Sequence, residues 1–380
     1  MDALTTAVLD APTGAPAPQN DARRDMRDAL DTMLVGLIAA DGSDLHLTAN
    51  SPPMIRVHGD LRPLPDYPAM TRADTAKLVH SVLSDEQWER FERDLEIDLA
   101  YGIPGVSRFR MNCFQQRNSY GAVMRAIPHV IKPLHELGIP DQISRFAHLP
   151  RGLVLVTGPT GSGKTTTLAS LLDLANRSRR DHIVTIEDPI EFLHQHKKCL
   201  VNQREVGVDT AGFAEALKRV LRQDPDIILV GELRDLETVS TALTAAETGH
   251  LVLATLHTQS AAQTIDRVID MFPPHQQQEI RAQLSTALQG VVTQALVKKA
   301  DGSGRAVVCE IMFATAAIRN LIREGKNHQI PSFMQSSGQD GMLTFDQDLA
   351  RHVMESTIDY DRALELCHSR EEFTRLAGRS

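Results

Sequence analysis

Apolar residues along this chain keep two different rhythms, and the change between them falls near residue 130. Leu30, Met33, Leu34, Leu37 and Ile38 recur as on one face of a helix, which predicts a helix from Met26 to Ala39. Asp44-Leu45-His46-Leu47 then alternates polar with apolar, the spacing of a half-buried strand. Further strands are predicted over Met54 to Val57, Phe109 to Phe114 and Gly121 to Ile127, with a turn at His58-Gly59-Asp60. Thr71 to Phe91, which carries the only tryptophan, Trp88, reads as a helix. Strands and helices mixed without a βαβ rhythm predict a small α+β domain over residues 26–128. Residues 1–25 are rich in Ala, Pro, Thr and Asp without an apolar period and read as a disordered tail.

Ile131 to Pro140 holds two prolines and a glycine, and residues 129–140 read as a linker. Beyond it, short apolar runs alternate with helical stretches. The runs are Leu153 to Val156, Ile183 to Ile186, Ile227 to Val230 and Leu251 to Leu256. This is the pattern of a parallel sheet covered by helices, and it predicts an α/β domain over 141–380. In open α/β sheets the ligand sits at the carboxyl ends of the strands, so the polar residues that end these runs are where chemistry is sought.

The first run leads straight into Gly158-Pro159-Thr160-Gly161-Ser162-Gly163-Lys164-Thr165, with Thr166 next, which fits GxxxxGK[ST] at every fixed position. Three glycines let the backbone wrap a polyphosphate with its N–H groups inward; Lys164 reaches the β- and γ-phosphates, and the Thr165 hydroxyl can ligate magnesium. Leu168, Leu171, Leu172 and Ala175 follow at helical spacing, so strand, loop and helix are all present.

Charge and cysteines narrow the class. The net charge of −9 argues against a protein whose main business is holding nucleic acid. Cys113, Cys199, Cys309 and Cys367 lie far apart with no CxxC pair, so neither a zinc site nor a disulfide framework is expected. The start Met1-Asp2-Ala3-Leu4 lacks the marks of a signal peptide, and no apolar stretch approaches the roughly 18 residues that span a bilayer. A cytoplasmic protein without direct membrane insertion is expected, at most attached through a partner.

Three further strand ends carry candidates. Asp226 to Gly231 delivers Glu232, first choice for catalytic acid; the plainer alternative is a surface pair with Arg234. Ile186-Glu187-Asp188-Pro189-Ile190-Glu191 places three carboxylates in five residues, costly beside a phosphate site unless a cation is near, which favours a magnesium-facing Glu187. Glu191 fits either that role or a solvated acidic turn. His257 ends the strand Leu251 to Leu256 and can sense the γ-phosphate, whereas His250 at its start has to reach another element or subunit; either histidine can equally be a packed or solvated side chain.

GPTGSGKTT, TIEDPIEF, DPDIILVGELRD and TGHLVLATLHT together resemble the secretion ATPase superfamily of type II secretion and type IV pili, over residues 26 to 380. Ala317 to Glu324, AIRNLIRE, is similar to the signature of its pilus-retraction members. The four-cysteine zinc motif of the extension and secretion members is missing. The resemblance implies a homohexamer of subunits that each pair a PAS-like N-terminal domain with a RecA-like ATPase domain carrying C-terminal helices, and ATP with Mg2+ as cofactors, turned over to ADP. It also implies an inner-membrane platform protein as partner, a paralogous retraction ATPase as a second, and a place at the inner face of the cytoplasmic membrane. By the same resemblance Thr185 to His194 is the aspartate box, Asp226 to Glu232 the Walker B strand and Thr248 to Thr258 the histidine box. Arginines of the N-terminal domain close over the phosphates in such proteins; the matching positions are Arg108 and Arg110, with Arg125 a third, and ordinary strand-edge arginines are the alternative.

Within AIRNLIRE, Ile318, Leu321 and Ile322 share one helix face, and spacing alone leaves open whether the charged flank grips a partner or is solvated. Three other functions stay open at this point. A pilus-extension or secretion motor would share every nucleotide residue. A RecA-like nucleic-acid translocase would want a basic, aromatic-studded loop, and none is obvious. A ring that binds nucleotide without hydrolysis is disfavoured by Glu232.

Overall fold

The computed structural model describes residues 18–57, 59–127 and 130–378, and the chain divides into two compact units, Met1–Pro128 and His129–Ser380. The first unit starts with α1 (Pro18–Ala39), whose Leu30, Leu34 and Leu37 are fully buried. It continues through β1 (Asp44–Leu47), β2 (Met54–Val57), β3 (Asp60–Pro63), α2 (Arg72–Val82), α3 (Asp85–Asp94), β4 (Glu96–Ile103), β5 (Ser107–Gln116) and β6 (Ser119–Ile127). The strands form one antiparallel sheet in the order β3-β2-β1-β6-β5-β4. Its inner positions, among them Leu45, Ile55, Phe109, Met111 and Met124, pack with the buried faces of the three helices. The α+β character expected from the sequence is the one found.

Several local expectations are revised. Residues 18–25 are helical; Ala22, Arg23, Arg24 and Asp25 tolerate a helix and extend one nucleated by the buried face further on. Residues 1–17 of the expected tail, and His58 of the expected turn, lie outside the described residues. The single helix over Thr71 to Phe91 is two, because Leu83 is extended and Ser84 caps α3 through a reciprocal bond pattern with Gln87. The segment read as a linker contains a 3-10 turn, Leu134–Leu137, and buries Leu134 and Ile139 in the core of the second unit, which makes it part of that unit.

The second unit runs β7 (Gly152–Thr157), α4 (Lys164–Ser178), β8 (His182–Glu187), β9 (Leu200–Glu205), α5 (Phe213–Val220), β10 (Ile227–Val230), α6 (Leu236–Thr248), β11 (Leu251–Leu256), α7 (Ala261–Asp270), α8 (Gln277–Ala287), β12 (Leu288–Lys298) and β13 (Arg305–Phe313). Helices α9 (Ala316–Arg323), α10 (Ile330–Ser336), α11 (Phe345–Met354), α12 (Tyr360–Leu366) and α13 (Arg370–Leu376) follow. The sheet order is β13-β12-β7-β11-β10-β8-β9, parallel throughout except for β13 at its edge. Alternate residues of β7 enter opposite cores, Leu153 and Leu155 on one face and Val154 and Val156 on the other. Burial on both faces is why these strands read as unbroken apolar runs.

Candidate functional site

Strand β7 ends at Thr157, helix α4 begins at Lys164, and the glycine-rich loop between them is held in conformations that side chains resist. Gly158 has φ 137°, and a Cβ there would lie 2.2 Å from the carbonyl oxygen of Gln294. Gly163, with φ 89°, precedes the first turn of α4, and Thr167 is the residue whose N–H returns to the Gly163 carbonyl, at 3.0 Å. The N–H groups of Lys164, Thr165 and Thr166 therefore lie at a helix N-terminus with no intrahelical acceptor, the arrangement that receives an anion.

Lys164 is buried and donates from Nζ to the carbonyls of Gly158 (2.9 Å) and Pro159 (3.1 Å) in its own loop. Burial pushes its ammonium below the usual lysine range, while Glu232 and Glu191 pull it back. These acceptors are neutral carbonyls, which phosphate oxygens outcompete for an ammonium. Ser162 is buried too, and among the described residues its Oγ has no partner.

The cleft beside the loop, about 200 Å³, gathers the ends of three parallel strands. Register sets this: Val230 of β10 lies level with Ile186 of β8 and Ala254 of β11, so the residues just beyond converge. Thr160, Gly161, Lys164 and Thr165 line one side; Glu187, Glu191, Glu232 and His257 line the others. Glu187 is buried and accepts at Oε1 from Thr185 Oγ1 (2.6 Å) and Gln203 Nε2 (3.0 Å). Burial pushes its carboxyl above the usual range against the pull of those hydrogen bonds and of the Glu191 backbone N–H, the Glu191 carboxylate adding a smaller push upward. Such a carboxylate is matched by a cation.

Glu232 is held from two sides, by Arg234 Nη2 on Oε2 at 2.8 Å and by His257 Nε2 on Oε1 at 3.2 Å. Both readings of this residue are thus realised: it pairs with Arg234 and still faces the cleft. Its loop is fixed from β11, where Thr255 Oγ1 donates to the Gly231 carbonyl at 2.5 Å and the Thr255 carbonyl accepts from Leu233 N–H at 3.0 Å. Among the described residues no three His, Cys, Asp or Glu side chains form a metal-holding group. The donor set still fits a cation that takes most of its oxygens from a nucleotide and water, with Thr165 as direct ligand and carboxylates at the rim.

His250 is not brought to this cleft. It precedes β11 at the opposite end, a strand of six residues or roughly 20 Å away, and its Nδ1 lies 2.9 Å from the Ala245 carbonyl near the end of α6. Arg108, Arg110 and Arg125 share one face of the first unit's sheet, Arg110 directly opposite Arg125 and Arg108 opposite Ile127. Like charges so placed repel, and Asp44 relieves them by accepting from Arg125 Nε at 2.8 Å.

Helix α9 buries Ile318 and Ile322 completely, with Leu321 packed against the same core. Its charged flank is divided. Arg319 turns inward, its Nη1 on the carbonyls of Ser285 (2.8 Å) and Thr286 (2.6 Å) and its Nη2 on Gln289 Oε1 (3.2 Å), while Arg323 and Glu324 are exposed. Sequence reading missed the roles of Gln203 and Thr255, whose partners Glu187 and Gly231 lie too far along the chain for local spacing to reveal, and that of Thr185, which sits only two residues from Glu187.

An anion-receiving loop at a helix N-terminus, with acids and a histidine on the neighbouring parallel strand ends, defines a P-loop nucleotide site of the kind that cleaves triphosphates. The family follows from comparison with known proteins: the chain belongs to the Type II/IV secretion system protein family, whose model matches residues 24–362. It is 52% identical over 343 residues to the type IV pilus retraction ATPase PilT of Pseudomonas aeruginosa, covering 90% of this chain and 99% of that one. With a twitching motility protein of Neisseria gonorrhoeae it shares 48% identity over 322 residues, 85% of this chain and 86% of the other. Among solved structures it is similar to the pilus retraction motor PilT with bound ADP, at TM-score 0.84 and 47% identity, over 90% of this chain and 98% of that one. No helix of the described residues is long and apolar enough to cross a membrane.

Proposed function

We propose that this chain is the ATP-hydrolysing motor of type IV pilus retraction, the activity behind twitching motility. The observation that carries it is the meeting of Lys164, Glu187, Glu232 and His257 in one cleft of a chain that matches a retraction ATPase over nearly its whole length. Lys164 and the first N–H groups of α4 receive the β- and γ-phosphates; Glu232, steadied by Arg234 and His257, orients the attacking water. Thr165 would hold Mg2+ as a ligand, with Glu187 and Glu232 supporting it through water, and the bound ion would supply neutralisation of phosphate charge. For Arg108, Arg110 and Arg125 the proposal is that their guanidinium groups meet the γ-phosphate during turnover, which three arginines on one sheet face support.

The working form in this reading is a homohexamer at the inner face of the cytoplasmic membrane, pulling through an inner-membrane platform protein and accompanied by a paralogous motor. Deleting the gene and scoring surface pili and twitching tests the assignment. Cells with excess pili and no twitching are expected, restored by the unaltered protein and not by Lys164→Ala. Bald cells would assign the chain to pilus assembly.

A further inference from the structure

Strand β12 runs beside β7 with Thr293 level with Thr157, whose hydroxyls share a 2.8 Å hydrogen bond, so the next residue, Gln294, stands beside the start of the glycine loop. Its side chain is 1% exposed and both ends of its amide are used. Nε2 donates to the Ser162 carbonyl at 2.7 Å, and Oε1 accepts from Thr167 Oγ1 at 2.8 Å. One buried amide thus spans from the last part of the loop to the first turn of α4.

We propose that Gln294 is a positioning residue for nucleotide binding, acting through the Ser162-Gly163 peptide; this rests on the nucleotide-site reading above. In a trans peptide the carbonyl and the following N–H point in opposite directions. Holding the Ser162 oxygen outward against β12 therefore turns the Gly163 N–H the other way, into the cradle where a phosphate sits. The backbone oxygen of Gln294 walls the loop's other end at Gly158. The loop is aimed before ligand arrives, and the ordering cost of binding is lowered.

The test is isothermal titration with ADP, together with steady-state ATP turnover and melting of the nucleotide-free protein. Gln294→Glu keeps the volume and the acceptor for Thr167 but sets an oxygen against the Ser162 carbonyl. Gln294→Leu removes both bonds, and Thr167→Val removes one. Both Gln294 variants are expected to bind ADP roughly tenfold more weakly, with KM rising by about the same factor and kcat within about threefold. Thr167→Val is expected to have a smaller effect, and one that does not multiply with Gln294→Leu. The melting temperature of Gln294→Glu is expected to fall at about pH 8, since a buried carboxylate faces a carbonyl oxygen, whereas that of Thr167→Val is expected to stay within a few degrees of the unaltered protein. Wild-type ADP affinity in Gln294→Glu, or a fall in kcat with KM and affinity unchanged, would overturn the assignment. If Gln294→Leu fails to fold, Gln294→Glu and Thr167→Val decide. Failure of the unaltered protein to bind ADP would overturn the nucleotide-site reading itself.

Discussion

His257 joins two charges of the cleft: its Nε2 lies 3.2 Å from Glu232 Oε1 while its Nδ1 lies 3.5 Å from Lys164 Nζ. An ammonium has only hydrogens to offer, so Nδ1 accepts and the ring proton of a neutral imidazole sits on Nε2, facing the carboxylate. The ring fixes Glu232 from the side that Arg234 does not reach.

It follows that His257→Ala leaves Glu232 tethered on one oxygen only. Turnover is expected to fall by roughly ten- to a hundredfold, while ADP affinity changes less than about threefold. Phosphate release beside ADP titration checks this, and an equal loss in both would make His257 a binding residue instead.

Glu187 links stability to pH. Its carboxyl is raised by burial, so its neutral form suits the fold. The sign is fixed by that: its contribution is full below the unfolded value, about 4.3, and is lost as pH rises through the higher folded value. Glu187→Gln is expected to melt higher than the unaltered protein at about pH 8, with the gap closing towards about pH 5. ATP turnover is expected to drop by at least roughly tenfold, as for groups that support a metal. A melting difference independent of pH would contradict the linkage.

Among the described residues, Lys164 Nζ bonds to carbonyls of its own loop and to His257, so its loss removes little from the core. Lys164→Ala is expected to keep its circular dichroism and melting behaviour while phosphate release falls below about a hundredth of the unaltered rate. Robust hydrolysis in this variant would sink the site assignment.

The two arginines of α9 are expected to behave oppositely. Arg319→Ala strips the last carbonyls of α8 of a partly buried guanidinium and is expected to cost about 1–2 kcal/mol of stability. Arg323 is exposed, so Arg323→Ala is expected to stay within about 0.5 kcal/mol, yet to reduce twitching if the exposed flank meets a partner. Urea melts and a motility assay separate the two.

The strands that position the cleft were legible because a sheet buried on both faces writes each of them as an apolar run. That same rule hid β12, where Thr293 and Gln294 interrupt the run with polar groups whose partners, Thr157, Ser162 and Thr167, lie more than a hundred residues earlier. Strand β9, Leu200–Glu205, was missed for a related reason: Asn202, Gln203 and Arg204 look like loop until the register with β8 is known. The break between α2 and α3 was readable from Ser84 and Gln87, a capping pair three residues apart. His250 and His257 were told apart in the sequence as well, because ligands gather at the carboxyl ends of parallel strands and only His257 stands at one.

Two glycines of one motif turn out to be required for unrelated reasons. Gly161 has φ 78° and faces open space, so only its backbone angle excludes a side chain; Gly158 is hemmed in by another strand as well. A descendant of this protein that gave up nucleotides altogether would be free to replace Gly161 at the modest expense of a strained turn. It would still have to keep Gly158, because a methyl group there pushes two neighbouring strands apart.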